Sequence, residues 1–65
     1  MHEVLSAYFS EDGTREAHVR KDLHGFYVDL LLDGVVREKR VLYGHSESYA
    51  EDCAENFALG IFDVE

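Results

Sequence analysis

The stretch Phe26-Tyr27-Val28-Asp29-Leu30-Leu31-Leu32-Asp33-Gly34-Val35-Val36-Arg37-Glu38-Lys39-Arg40-Val41-Leu42-Tyr43 decides the fold. Two runs rich in strand formers flank one Asp-Gly pair. That pair is a strong hairpin signal, because both residues tolerate the positive φ of a tight reversal. The run 26–32 is the most apolar in the chain and predicts a strand. The run 35–43 predicts its antiparallel return.

The charges in this hairpin bear on its register. A two-residue loop at Asp33-Gly34 with unbroken pairing would set Asp29 opposite Glu38, and like charges facing across a pair are unfavourable. A three-residue loop, with Gly34 left-handed in a bulge, sets Asp29 opposite Arg37 and Leu30 opposite Val36. The bulged register is the expected one.

Upstream, Val4 to Phe9 is a short run of strand formers. Ser10-Glu11-Asp12-Gly13-Thr14 reads as a turn, again through Asp-Gly. From Arg15 to Arg20 the chain alternates, with Ala17 and Val19 on one side and Glu16, His18 and Arg20 on the other. That is the pattern of a half-buried strand.

Downstream, Gly44-His45-Ser46 ends the last strand and opens a helix capped by Ser46 or Ser48. Ser48 and Glu51 have the spacing of a capping box. Tyr49/Ala50, Cys53/Ala54 and Phe57/Ala58 recur every four residues as one apolar stripe, with Tyr49 and Phe57 as its large anchors. Gly60 is the natural stop. Ile61 and Phe62 extend the apolar surface and could pair with a sheet edge. The expected fold is therefore a single α+β domain over residues 1–65. An antiparallel β-meander of three to four strands (4–9, 15–20, 26–32 and 35–43) is followed by a C-terminal amphipathic helix (47–59) packed on one sheet face.

Sixty-five residues leave such a domain marginally stable, and small domains commonly add a disulfide, a metal or a partner chain. Cys53 is the only cysteine, so no internal disulfide can form. The four histidines (His2, His18, His24 and His45) show no metal-ligand spacing. Association is the remaining supplement, most simply with a second copy of the chain as a dimer. The N-terminal stretch carries no basic region and no long apolar run, so a cytoplasmic protein with no membrane contact is expected.

The net charge is −8, unevenly spread. Residues 44–65 hold six acids and no base, whereas residues 1–43 are nearly balanced. That acidic tail repels phosphate and makes nucleic acid an unlikely partner. It serves solubility on one reading and a basic partner on the other.

No residue pattern calls for catalysis or a cofactor. Cys53 lies on the apolar stripe, where a structural role is the default. Ser46 and Ser48 are explained by capping, and each glycine stands at a turn or helix end. Arg37, Lys39 and Arg40 form the one basic cluster, which reads best as a charged edge that discourages sheet-to-sheet aggregation.

One feature points outward. A sheet covered by one helix has one buried and one exposed face, so its strands should alternate cleanly. In 26–32, Phe26, Val28, Leu30 and Leu32 lie on one side, yet Tyr27 and Leu31 lie on the other. Val35, Val41 and Tyr43 can join that second side in the bulged register. The expected partner-binding surface is this apolar sheet face (Tyr27, Leu31, Val35), together with an acidic helix face (Glu47, Glu51, Asp52, Glu55).

The stretches Gly25 to Leu30, Asp33-Gly34, Gly44 to Phe57 and Gly60-Ile61 resemble small proteins of unassigned function encoded by tailed phages, especially those infecting marine cyanobacteria. The resemblance implies a protein acting inside an infected bacterium and brings no site residues with it. The expected function is a small acidic non-enzymatic protein–protein interaction module directed at a host or phage protein. A nucleic-acid mimic using the acidic helix face is one alternative. A nucleic-acid-binding accessory protein using the basic strand is another.

Overall fold

The computed structural model describes residues 3–64; His2 and Glu65 lie outside them. Four strands, β1 (Glu3–Phe9), β2 (Arg15–Asp22), β3 (Gly25–Leu32) and β4 (Val35–Val41), precede one helix, α1 (Glu47–Ala58). The strands form one antiparallel sheet in chain order. The helix packs across β1, β2 and β3. This is the α+β meander with one C-terminal helix.

The alternation in β2 and β3 builds the core. Ala17, Val19, Val28 and Leu30 face the helix and are fully buried, and Leu42 joins them. Ala50 and Ala54 let α1 approach the sheet closely, and Phe57 fills the space between them. Phe57 is the largest side chain with no exposed surface.

The helix begins at Ser46, whose hydroxyl accepts a hydrogen bond from the Tyr49 amide. The Ser48–Glu51 box does not form, because Glu51 reaches across to β1 instead. At the other end the Gly60 and Ile61 amides bond the carbonyls of Phe57 and Asn56. Gly60 takes φ 82°, so the helix stops in a left-handed cap. Tyr49 does not anchor the helix. It sits beside the Ala50–Ala54–Phe57 line, half exposed, and stacks on His45 with ring centroids 4.1 Å apart.

The β3–β4 turn differs from the expected one. It has two residues, Asp33 at φ 52° and Gly34 at φ 80°, and Leu32 pairs with Val35 across it. The extra residue enters later, at Arg37, between the pairs Leu31–Val36 and Leu30–Glu38. Asp29 therefore faces Lys39, an opposite charge. The like-charge pair is avoided, but by an internal bulge rather than by a longer loop. In consequence Val35 stays on the side of Leu32. Val36, not Val35, joins Leu31 on the other face.

After the helix, Phe62 turns back onto Phe57, with ring centroids 5.7 Å apart, and its ring lies under the Arg40 guanidinium at 4.7 Å. Arg15 holds this segment by donating to the Phe62 carbonyl at 3.0 Å. Ile61 is exposed, and no strand follows the helix among the described residues. The expected edge pairing of this tail is replaced by packing over the core.

Candidate interaction surfaces

The face of the sheet away from α1 is ordered in three cross-strand rows. Phe9, Glu16, Leu31 and Val36 form one. Ala7, His18, Asp29 and Lys39 form the middle row. Val4, Arg20, Tyr27 and Val41 form the third. A polar row thus runs between two rows whose outer ends are apolar.

Tyr27 and Leu31 are only 3% and 7% exposed, although no second layer lies over them. Their neighbours' side chains cover them. The Lys39 ammonium stands 4.4 Å from the centre of the Tyr27 ring, and the lysine's apolar stem can cover carbon while its charge stays wet. Arg20 and Asp29 form an ion pair at 3.8 Å on the same face, and His18 contacts Glu16. The burial of Tyr27 and Leu31 therefore requires no partner chain. What this face offers to solvent is its corners: Phe9 is 62% exposed and Val36 54%, with Val4 and Val41 similar. Val36 could be assigned only from the β3–β4 register, which rests on the true loop length and the Arg37 bulge, and Phe9 and Val4 only from the β1–β2 register with its bulge at Leu5.

Both outer strands carry a bulge, at Leu5 in β1 and at Arg37 in β4. A bulge interrupts the row of free backbone groups that another strand would need, so the edges are poor templates for pairing.

The second surface is the acidic side of α1. Glu47, Asp52 and Glu55 are exposed, but Glu51 is engaged. It accepts hydrogen bonds from Ser6 Oγ at 2.7 Å and Tyr8 Oη at 2.5 Å, tying the helix to the edge strand. The hydrogen bond to Glu51, then burial, then the charges of Glu51, Glu55 and Asp52 push the Tyr8 hydroxyl up to about 12. Acidic α1 and the sheet's open face lie on opposite sides of the molecule. One flat partner cannot touch both.

Cys53 is half-buried beside a groove that Arg40, Leu42, Asp52 and Phe62 also line. Burial raises its thiol pKa, with Arg40 opposing. That is the reverse of what a nucleophilic thiol requires. His45 is engaged in the stack with Tyr49. No group of three or more metal-ligating side chains occurs among the described residues, and no described helix is long and apolar enough to cross a membrane.

Protein-family models, curated proteins and solved structures were compared with this chain, and none matches.

Proposed function

We propose that this chain is a small, non-enzymatic protein–protein interaction module that docks through the open face of its sheet. The observation that carries this reading is the arrangement of that face: a charge-balanced polar row between two rows that end in exposed apolar corners. Protein interfaces combine apolar anchors with satisfied polar groups, and this face offers both in register, with its apolar anchors at the corners and the polar row between them, whereas scattered single apolar residues carry no such order. The acidic side of α1 points the other way and supplies a second surface, suited to a basic partner. The resemblance of the Gly44 to Ile61 region to tailed-phage proteins supports a host or phage protein in the bacterial cytoplasm as the target. The raised thiol pKa of Cys53 and the capping role of Ser46 favour a binding role over catalysis.

The test is affinity capture of the tagged chain from its native cell, compared with Phe9→Asp and Val36→Asp. Both positions are exposed, so the variants should fold, as circular dichroism can check. Loss of a specific captured protein in both is expected. Capture unaffected by either change, but lost after charge reversal of Asp52 and Glu55, would move the function to the helix. Capture of nucleic acid-binding proteins with steep salt dependence would favour the mimic.

A further inference from the structure

We infer that the open sheet face docks on the same face of a second copy, about a two-fold axis parallel to the strands, so that β1 lies over the partner's β4 and β2 over the partner's β3. This rests on the reading of that face as the docking surface and names its occupant.

Charge selects the second copy and the face. Each chain carries −8, and copies meeting through α1 would set Glu47, Asp52 and Glu55 against their own kind. The open face differs. Its rows hold two acids, Glu16 and Asp29, and two bases, Arg20 and Lys39, so two such faces meet without net repulsion. The bulged edges disfavour sheet extension, which leaves face-to-face stacking.

The order within the rows selects the axis. With the two-fold along the strands, each row meets itself in reverse. Phe9 then lies over Val36, Val4 over Val41, His18 over Asp29, Arg20 over Tyr27, Glu16 over Leu31 and Ala7 over Lys39. Apolar corners meet apolar corners and imidazole meets carboxylate, while Tyr27 and Leu31 stay covered by their own chain's side chains. With the two-fold across the strands, the middle row would meet itself in the same order. Asp29 would face Asp29 inside the contact and Lys39 would face Lys39 at its margin, like-charge meetings that cost affinity and offset the Glu16–Arg20 pairs this axis would also make.

The size of the face sets the strength. Strands of seven to eight residues and four-strand width give a footprint of roughly 25 by 19 Å, on the order of 500 Å² per copy. That is below the ~800 Å² per partner of a standard interface, so the dimer is weak, with dissociation in the micromolar range. In it the helices lie outermost and the two acidic sides face away from each other.

The experiment is sedimentation equilibrium of the purified full chain across the micromolar range. The wild type should show a reversible monomer–dimer equilibrium. Phe9→Lys and Val36→Glu should each weaken it by about 30-fold or more, as loss of a main anchor does. Ile61→Glu, on an exposed residue off this face, should leave it unchanged. Mixing Phe9→Lys with Val36→Glu should restore a heterodimer, because only the strand-parallel axis sets position 9 over position 36. A strictly monomeric wild type overturns the inference, as does a dimer indifferent to both variants or one that mixing does not restore. A monomeric chain whose partner capture still depends on Phe9 and Val36 would sink the dimer while sparing the docking surface.

Discussion

The Tyr8 hydroxyl donates to Glu51 Oε1 at 2.5 Å, and Ser6 donates to the same carboxylate through its other oxygen. Tyr8 stands on the edge strand and Glu51 one turn into α1. The pair therefore clips the sheet margin to the helix.

This clip makes the stability depend on pH at the alkaline end. The folded chain holds the Tyr8 proton until about 12. A tyrosine in the unfolded chain releases it near pH 10. A group whose folded pKa is raised stabilises the fold fully below the unfolded value, and that contribution is lost as pH rises through the folded one. The expected window of loss is thus between roughly pH 10 and 12. Ultraviolet titration of the tyrosines should show Tyr8 ionising late, and Glu51→Ala should abolish that late phase. The Tyr43 hydroxyl, raised by its bond to Asp22, should still titrate above the ordinary range in that variant. A late Tyr8 phase that survives Glu51→Ala would contradict the assignment.

The helix is held by one large side chain. Phe57 has no exposed surface, whereas Tyr49 is half exposed and touches His45 rather than the core. Phe57→Ala should cost about 3–5 kcal/mol, enough to unfold a domain this small. Tyr49→Ala should cost well under about 1 kcal/mol, as surface changes do. Urea denaturation separates the two, and comparable losses would show that the stripe has two anchors after all.

The β3–β4 turn depends on a left-handed residue at position 34. A methyl group added to Gly34 would meet no atom within 4 Å, so Gly34→Ala isolates backbone strain from packing. At φ 80° that strain should cost about 1–2 kcal/mol. Asp33→Gly should be nearly neutral, since glycine adopts φ 52° freely. Thermal melts of both variants check this; a neutral Gly34→Ala would mean that the loop relaxes into the three-residue form.

That turn also marks where the sequence stops being legible. The strands and helix could be read because period two and period 3.6 are properties of side chains close in the chain. The bulge at Arg37 could not, because it depends on which residue Asp29 faces across the sheet. The preference for Asp29 opposite a base was readable, yet Lys39 supplies it, not Arg37. The same missing register put Val35 on the wrong face and hid Val36 as a corner, and the β1–β2 register, with its own bulge, hid Phe9. The cover over Tyr27 was illegible for a further reason. A four-carbon lysine stem can lie over a ring or extend into water, and only the cross-strand register, which sets Lys39 diagonal to Tyr27, decides between them.

Arg15 offers a last test, of how the segment after the helix is secured. Its guanidinium donates to the carbonyls of Phe62 at 3.0 Å and Phe57 at 3.5 Å, pairs with Asp63 at 3.4 Å, and lies 4.9 Å from the Phe57 ring centre. The ion pair with Asp63 is open to solvent and adds little. The charged donor to the Phe62 carbonyl is the stronger contact, of the class worth about 1.5–3 kcal/mol. Arg15→Met keeps the aliphatic stem and removes every donor. Amide hydrogen exchange should then accelerate at residues 61–64 while the β2 and β3 amides stay protected, because Phe57 and the sheet core remain in place. Asp63→Asn should leave exchange in that segment almost unchanged. If the two variants loosened it equally, the ion pair rather than the carbonyl contacts would be holding the tail.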